Sequence, residues 1–212
     1  NVSVRLAGDL PSVQKSFFRN LVAAFFAAII LIKNHTAPKV EKTQWGSLFL
    51  RCAFGTLGIL CNFYAIDHLL VADASILNKL SPFFAIIFSF LLLKERIKPA
   101  QAMCVILAFV GCLFVVKPGF ENAHLIPALI GVCGGLGAGI AYTMVRKMGT
   151  HGVKGPVIVF YFSCFSCIIV IPWIVFHYQP MSLRQLLTLL LAGLFAAGGQ
   201  FTITAAYTYA PA

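Results

Sequence analysis

Few side chains in this sequence could bind or move a solute, and most of those that could interrupt long apolar runs. The sharpest case is ILNKLSPFFAIIFSFLLL (76–93), where Asn78, Lys79 and Pro82 fall inside one hydrophobic stretch. A lysine near the centre of a bilayer costs about 2.5–3.5 kcal/mol on insertion scales. Lys79 lies about 12 Å from the outer end of its helix at 1.5 Å per residue, too deep for its stem to reach the interface comfortably. It is therefore expected to face a hydrated cavity, the alternative being a structural cation bonded to helix carbonyls. Ser75, Asn78, Pro82, Ala85 and Ser89 follow one another at helical spacing on a small or polar stripe, with Leu80, Phe84, Ile87 and Leu91 opposite. Pro82 removes a ladder donor, which predicts a kink.

Asn62 and Gln200 add amides within apolar runs, and Tyr142, Thr143 and Tyr64 add hydroxyls. Each could contact a substrate or simply bond between helices, which is worth about 0.6 kcal/mol on average. Arg19 and Arg51 lie about one turn inside predicted helix ends, where snorkelling accounts for them. Glu95 and Arg96 form a charge cluster at another helix end. Gly131, Gly135 and Gly139, with Gly134 and Gly137 between them, make a small-residue ladder for close helix packing. Cys164 and Cys167 have CxxC spacing but no polar surroundings or zinc partners, so the seven cysteines read as small buried apolar groups. No GxxxxGK[ST], HExxH or GxSxG occurs, and the acidic residues avoid mid-helix positions. No enzyme, metal site or cofactor is expected, and no carboxylate proton relay.

The elements that position these residues are membrane helices. The 212 residues are 60% hydrophobic and 10% charged, with 20 Phe, against about 45–50% and 25% in soluble domains. A net charge of +10 would suit nucleic acid if it formed a patch, but it is divided among short clusters between apolar runs. Spans of about 20 apolar residues are predicted over 15–33, 46–67, 71–93, 99–117, 125–147, 156–177 and 183–206, joined by short Pro-, Gly- and Asn-bearing loops. Nine lysines and arginines fall on one side of this layout (Lys33, Lys39, Lys42, Lys94, Arg96, Lys98, Arg146, Lys147 and Lys154) and four on the other (Arg5, Lys15, Lys117 and Arg184). The first side is expected to be cytoplasmic. The fold class is thus an all-α integral membrane protein of the cell membrane. The polar opening NVSVRLAGDLP and the abrupt close at TYAPA lead us to expect further helices beyond both ends.

A shift of 138 residues lays NFYAIDHLLVADA (62–74) on QFTITAAYTYAPA (200–212), pairing Asn62 with Gln200; upstream it pairs Gly55 with Gly193. A shift of 142 lays FFRNLVAAFFAAIIL (17–31) on VFYFSCFSCIIVIPW (159–173). The paired segments run in opposite directions across the predicted layout, as in the inverted repeats of secondary transporters. With FFRNL (17–21), CNFYAIDHLLVADASILNKLSPFFAIIFSFLLLKERI (61–97) and AFVGCLFVVKPG (108–119), the chain resembles the EamA-type family of the drug/metabolite transporter superfamily.

The resemblance implies ten helices in two inverted repeats, of which about the second to the eighth are visible. Residues 1–119 would form the N-terminal repeat and 120–212 part of the C-terminal one. It also implies a gate or salt-bridge role for Glu95, which matches the family's glutamate at the end of the fourth helix. The function expected is a permease moving a small polar or amphipathic metabolite by alternating access. Lys79, Asn78, Asn62, Gln200, Tyr142 and Tyr64 would line its cavity, with Glu95 and Arg96 at a cytoplasmic gate. The partners expected are a small-molecule substrate and the lipid bilayer, with a homodimer left open and no nucleic acid. The alternative is a non-transporting membrane structural or interaction protein, or a truncated transporter relic. An intramembrane enzyme would need an acid/base or nucleophile constellation that the sequence does not offer.

Overall fold

A computed structural model describes residues 10–96, 98–116 and 125–209. Arg5, Lys117, Ala210 and Ala212, used in the charge count and the repeat alignment, lie outside the described residues. All seven predicted spans are helical: α1 (Ser12–Lys33), α2 (Trp45–His68), α3 (Val71–Asn78) running into α4 (Ser81–Phe88), α5 (Pro99–Val116), α6 (Leu125–Thr150), α7 (Gly155–His177) and α8 (Leu183–Tyr209). Among the described residues six spans, with Val71–Leu93 taken as one, are long and apolar enough to cross a bilayer. The helix α5 runs for 18 residues without a charged side chain. Helices satisfy their own backbone groups, which the bilayer interior demands.

Local chemistry sets the breaks. Pro82 has no N–H to give the carbonyl of Asn78, and the chain turns at Lys79–Leu80, where the Leu80 N–H bonds the Leu77 carbonyl at 3.2 Å. The predicted kink is a two-residue interruption between α3 and α4, with Lys79 and Leu80 still in right-handed dihedrals. Beyond α4, Ser89–Leu93 form a π-helical turn that ends on Lys94 in the left-handed region (φ 57°). That geometry folds Glu95 back so that its carboxylate accepts from Ser89 Oγ at 2.7 Å. After α6, Gly152 takes φ +78°, and Val153 N–H bonds the Met148 carbonyl at 3.1 Å. This is a Schellman stop, in which glycine accepts the left-handed cap without a Cβ clash.

The centre of the bundle is α6. Burying one apolar helix face against another gains little over lipid, so close approach decides which helices meet. Gly134 and Gly137 bring α6 onto α2: a Cβ at Gly134 would lie 3.2 Å from the Gly58 carbonyl, and one at Gly137 3.0 Å from the Phe54 carbonyl. Gly135 and Gly139 bring it onto α3 and α4, where a Cβ at Gly139 would stand 2.4 Å from Phe84 Cβ. On the other side, α1 packs on α7 and α8, tied by Asn20 Nδ2 donating to Ser166 Oγ at 2.7 Å in the buried interface. Large apolar side chains such as Phe25, Ile32, Phe114, Val175, Phe176 and Leu187 remain exposed around the outside, as a lipid-facing surface requires.

Candidate functional site

Between these two groups of helices lies a cavity of about 330 Å³, within the range of about 300–1,000 Å³ usual for small-molecule sites. Its walls include six small residues, Gly55, Gly58, Ala138, Ala141, Ala192 and Ala196. Into it reach Arg19 from α1, Arg51 and Asn62 from α2, Asn78 from α3, Tyr142 from α6 and Gln200 from α8. At 1.5 Å per residue, Arg19, Asn62 and Asn78 lie about 9–10 Å from the end of the bundle that holds Asp67. Arg51, Tyr142 and Gln200 lie about 9–14 Å from the opposite end, which holds Glu95. Polar groups thus surround the middle of the bundle from both sides.

Of the expected lining residues, Asn62, Asn78, Tyr142 and Gln200 face one cavity. Two expected lining residues do not. Lys79 follows Asn78 by one residue, about 100° around the helix, so with Asn78 facing inward its side chain is exposed outside the lining. Tyr64, two residues after Asn62, is likewise turned away and stacks on His68 with centroids 4.0 Å apart. Thr143 is buried but does not line the cavity. Its hydroxyl donates to the Gly139 carbonyl at 3.0 Å. Of the apolar face opposite the polar stripe, Leu80 and Phe84 are buried, Phe84 against Gly139 of α6 and the Phe109 ring of α5.

The cations that do reach the cavity are Arg19 and Arg51, expected to snorkel and found turned inward. Arg51 is only 1% exposed, and its guanidinium lies over the Phe162 ring, 3.8 Å from the centroid. Gly55, one turn further on, makes this placement fit: a Cβ there would stand 2.1 Å from Arg51 Nη1 and 2.8 Å from Phe162 Cε2. Arg19 sits over Phe63 at 5.8 Å. The Arg51–Gly55 spacing of four residues, with no acidic residue nearby in the run, is the sequence signal that marks this cradle. Tyr142 is held by stacking on Tyr207, centroids 4.9 Å apart and planes within 12°.

Ion pairs span both ends of the bundle. At the Asp67 end, Lys15 Nζ lies 2.9 Å from Asp67 Oδ1, with the lysine 3% and the aspartate 27% exposed. Ser12 Oγ also donates to Asp67. Gln14 of the same turn donates from Nε2 to the Gln179 carbonyl at 2.9 Å and accepts from its N–H at 3.1 Å. At the Glu95 end, Arg146 Nε lies 3.0 Å from Glu95 Oε1, and its Nη1 donates to the Thr208 carbonyl at 3.4 Å. Glu95 therefore joins α4, α6 and α8 rather than standing as a solvated cluster, while its expected companion Arg96 is exposed. No group of three metal-ligating side chains occurs among the described residues.

Residues 2–117 match the EamA-like transporter family. The chain is 32% identical over 207 residues to the pseudopaline exporter CntI of Pseudomonas aeruginosa, a match spanning 96% of this chain and 71% of that protein. It is 25% identical over 228 residues to the riboflavin transporter of Brucella anthropi, across 100% of this chain and 77% of that one. With human solute carrier family 35 member G1 the identity is 26% over 218 residues, across 96% and 60%. A solved crystal structure with 13% identity superposes at a TM-score of 0.74, covering 98% of this chain and 73% of the other, which shows a shared fold. A multi-pass bundle of apolar helices, a polar cavity at its middle and these likenesses agree: the chain belongs to the EamA-like transporter family and is a membrane transporter of the drug/metabolite type.

Proposed function

We propose that this protein is a secondary carrier of the cell membrane that moves a small polar or amphipathic metabolite by alternating access. The observation that carries the reading is the cavity: six polar side chains from five helices converge at mid-depth in a bundle otherwise lined by apolar and small residues. Polar groups inside a membrane bundle are costly and mark a solute pathway by default. The pseudopaline and riboflavin in the names of two relatives support a small organic solute.

In this reading residues 1–119 and 120–212 are inverted repeats, and the two helix groups they interleave rock about the cavity. Support comes from paired positions: Asn62 and its partner Gln200 both line the cavity, and Gly55 and its partner Gly193 are both close-packing points, where a Cβ at Gly193 would stand 2.9 Å from Val22 Cβ. Lys15–Asp67 ties α1 to α2 across the two helix groups at one end of the bundle, and Arg146, held by Glu95, ties α6 to the Thr208 carbonyl of α8 at the other, the Glu95 end being cytoplasmic by its excess of basic residues.

The experiment is reconstitution of the full-length protein into vesicles loaded with an aqueous extract of the cells that make it. Mass spectrometry should find at least one solute leaving faster than from protein-free vesicles, with a saturable rate. Identical solute profiles with and without protein would refute the carrier.

A further inference from the structure

The cavity contains two guanidinium groups and no anion of its own. Arg51 is buried, and its Nε has no acceptor. Neither Arg51 nor Arg19 makes an ion pair among the described residues: the two pairs present use Lys15 and Arg146, at opposite ends of the bundle. Nor is a carboxylate available nearby in sequence. Of the six acidic residues, Glu41, Asp67, Asp73 and Glu95 lie in connections or at helix ends, and Asp9 and Glu121 lie outside the described residues.

Burying a cation without a counter-charge is strongly unfavourable, and an aromatic face offsets only part of it. A purely structural arginine would be expected to spend its donors on helix carbonyls. Arg51 spends none among the described residues, and Gly55 keeps open the space into which its guanidinium projects. In the same cavity Asn62 Oδ1 is buried without a donor. The unmet groups are thus two cations and one acceptor, around walls that include Phe63, Phe162 and Phe195.

Resting on the carrier reading above, the geometry points to an organic anion as the transported solute. Its carboxylate or phosphate head lies between Arg19 and Arg51, a hydrogen-bond donor on it meets Asn62, and its body lies against the phenylalanines. The planar guanidinium fork matches either oxyanion. Two unpaired cations in so small a space repel a cationic solute, and a neutral one leaves their charge unanswered.

The vesicle experiment tests this by the identity of what leaves. The expected solutes carry a carboxylate or phosphate ionised at pH 7, and the identity of the head group tells the two apart. Arg51→Gln and Arg19→Gln should each slow their exit by about tenfold or more, a loss of transition-state stabilisation of about 1.4 kcal/mol. Arg51→Lys should restore only part of the rate. Thermal unfolding of each variant separates lost transport from lost folding. Should Arg51→Gln fail to fold, Arg19→Gln carries the test. If every solute that leaves is neutral or cationic, or if both folded glutamine variants keep rates within about twofold, too little for an ionic contact, the anion assignment is overturned and the carrier stands. If nothing leaves, the carrier reading falls and this inference with it.

Discussion

Replacing Arg51 by methionine should make the protein more stable and less active at once. The substitution keeps an unbranched apolar stem of similar reach and removes a charge that has no ion pair among the described residues. It forfeits the contact with Phe162 at 3.8 Å, worth about 0.5–2 kcal/mol. Against that, exchanging buried ionic groups for apolar ones of similar volume is often stabilising by about 1–4 kcal/mol. The central values leave a net gain of about 1 kcal/mol, or a rise of about 2–4 °C in melting temperature at 2–4 °C per kcal/mol. Trp45 and Trp173 report unfolding by intrinsic fluorescence in detergent, and vesicle efflux reports activity. Adding the transported solute should raise the wild-type midpoint by mass action and leave the variant unmoved. A fall in the Arg51→Met midpoint would show that the guanidinium holds the bundle together, and the reasoning from an unanswered charge would be refuted.

Gly55→Ala should act on Arg51 at second hand. The new Cβ would stand 2.1 Å from Nη1, so the flexible guanidinium moves off Phe162; efflux should fall about tenfold while stability drops by about 1–3 kcal/mol from overpacking. Lys79→Ala should leave efflux within about twofold, because the side chain is exposed outside the cavity; a tenfold loss would return Lys79 to the site. Asp67→Asn should weaken closure at its end of the bundle by about 1.5–3 kcal/mol, the scale of a hydrogen bond to a charged group. It leaves Lys15 without its carboxylate, and labelling of a cavity cysteine from that side should speed up; an unchanged labelling rate would deny the pair a latch role.

Fold and site were unequally legible in the sequence. Helix number and span followed from run length, because the bilayer fixes how many apolar residues a crossing needs. The glycine ladder of α6 declared a packed face, and it packs on both α2 and α4. What the runs could not show was rotation. Asn78 and Lys79 are neighbours in sequence but lie about 100° apart around a helix, so choosing which of them faces the cavity needed a partner helix. Arg51 shows the same difficulty in reverse. Its position one turn inside α2 fitted snorkelling, and only the Gly55 cradle and the Phe162 ring, supplied by α7, reveal that it turns inward. For Glu95 the resemblance implied a gate or salt bridge but not its partner, which the π-helical turn and left-handed Lys94 supply by folding it onto Ser89 and Arg146.

Alternating access requires that one point in the cavity be reached from either side of the membrane, though never from both in the same conformation. Ala138 lines the cavity on α6. In a background with the seven native cysteines replaced, Ala138→Cys can be exposed to a membrane-impermeant maleimide from each side in turn. Labelling from both sides, with the balance shifted by adding solute to one of them, is the expected result. Labelling from a single side under every condition would contradict a rocking carrier and leave a static cleft in its place.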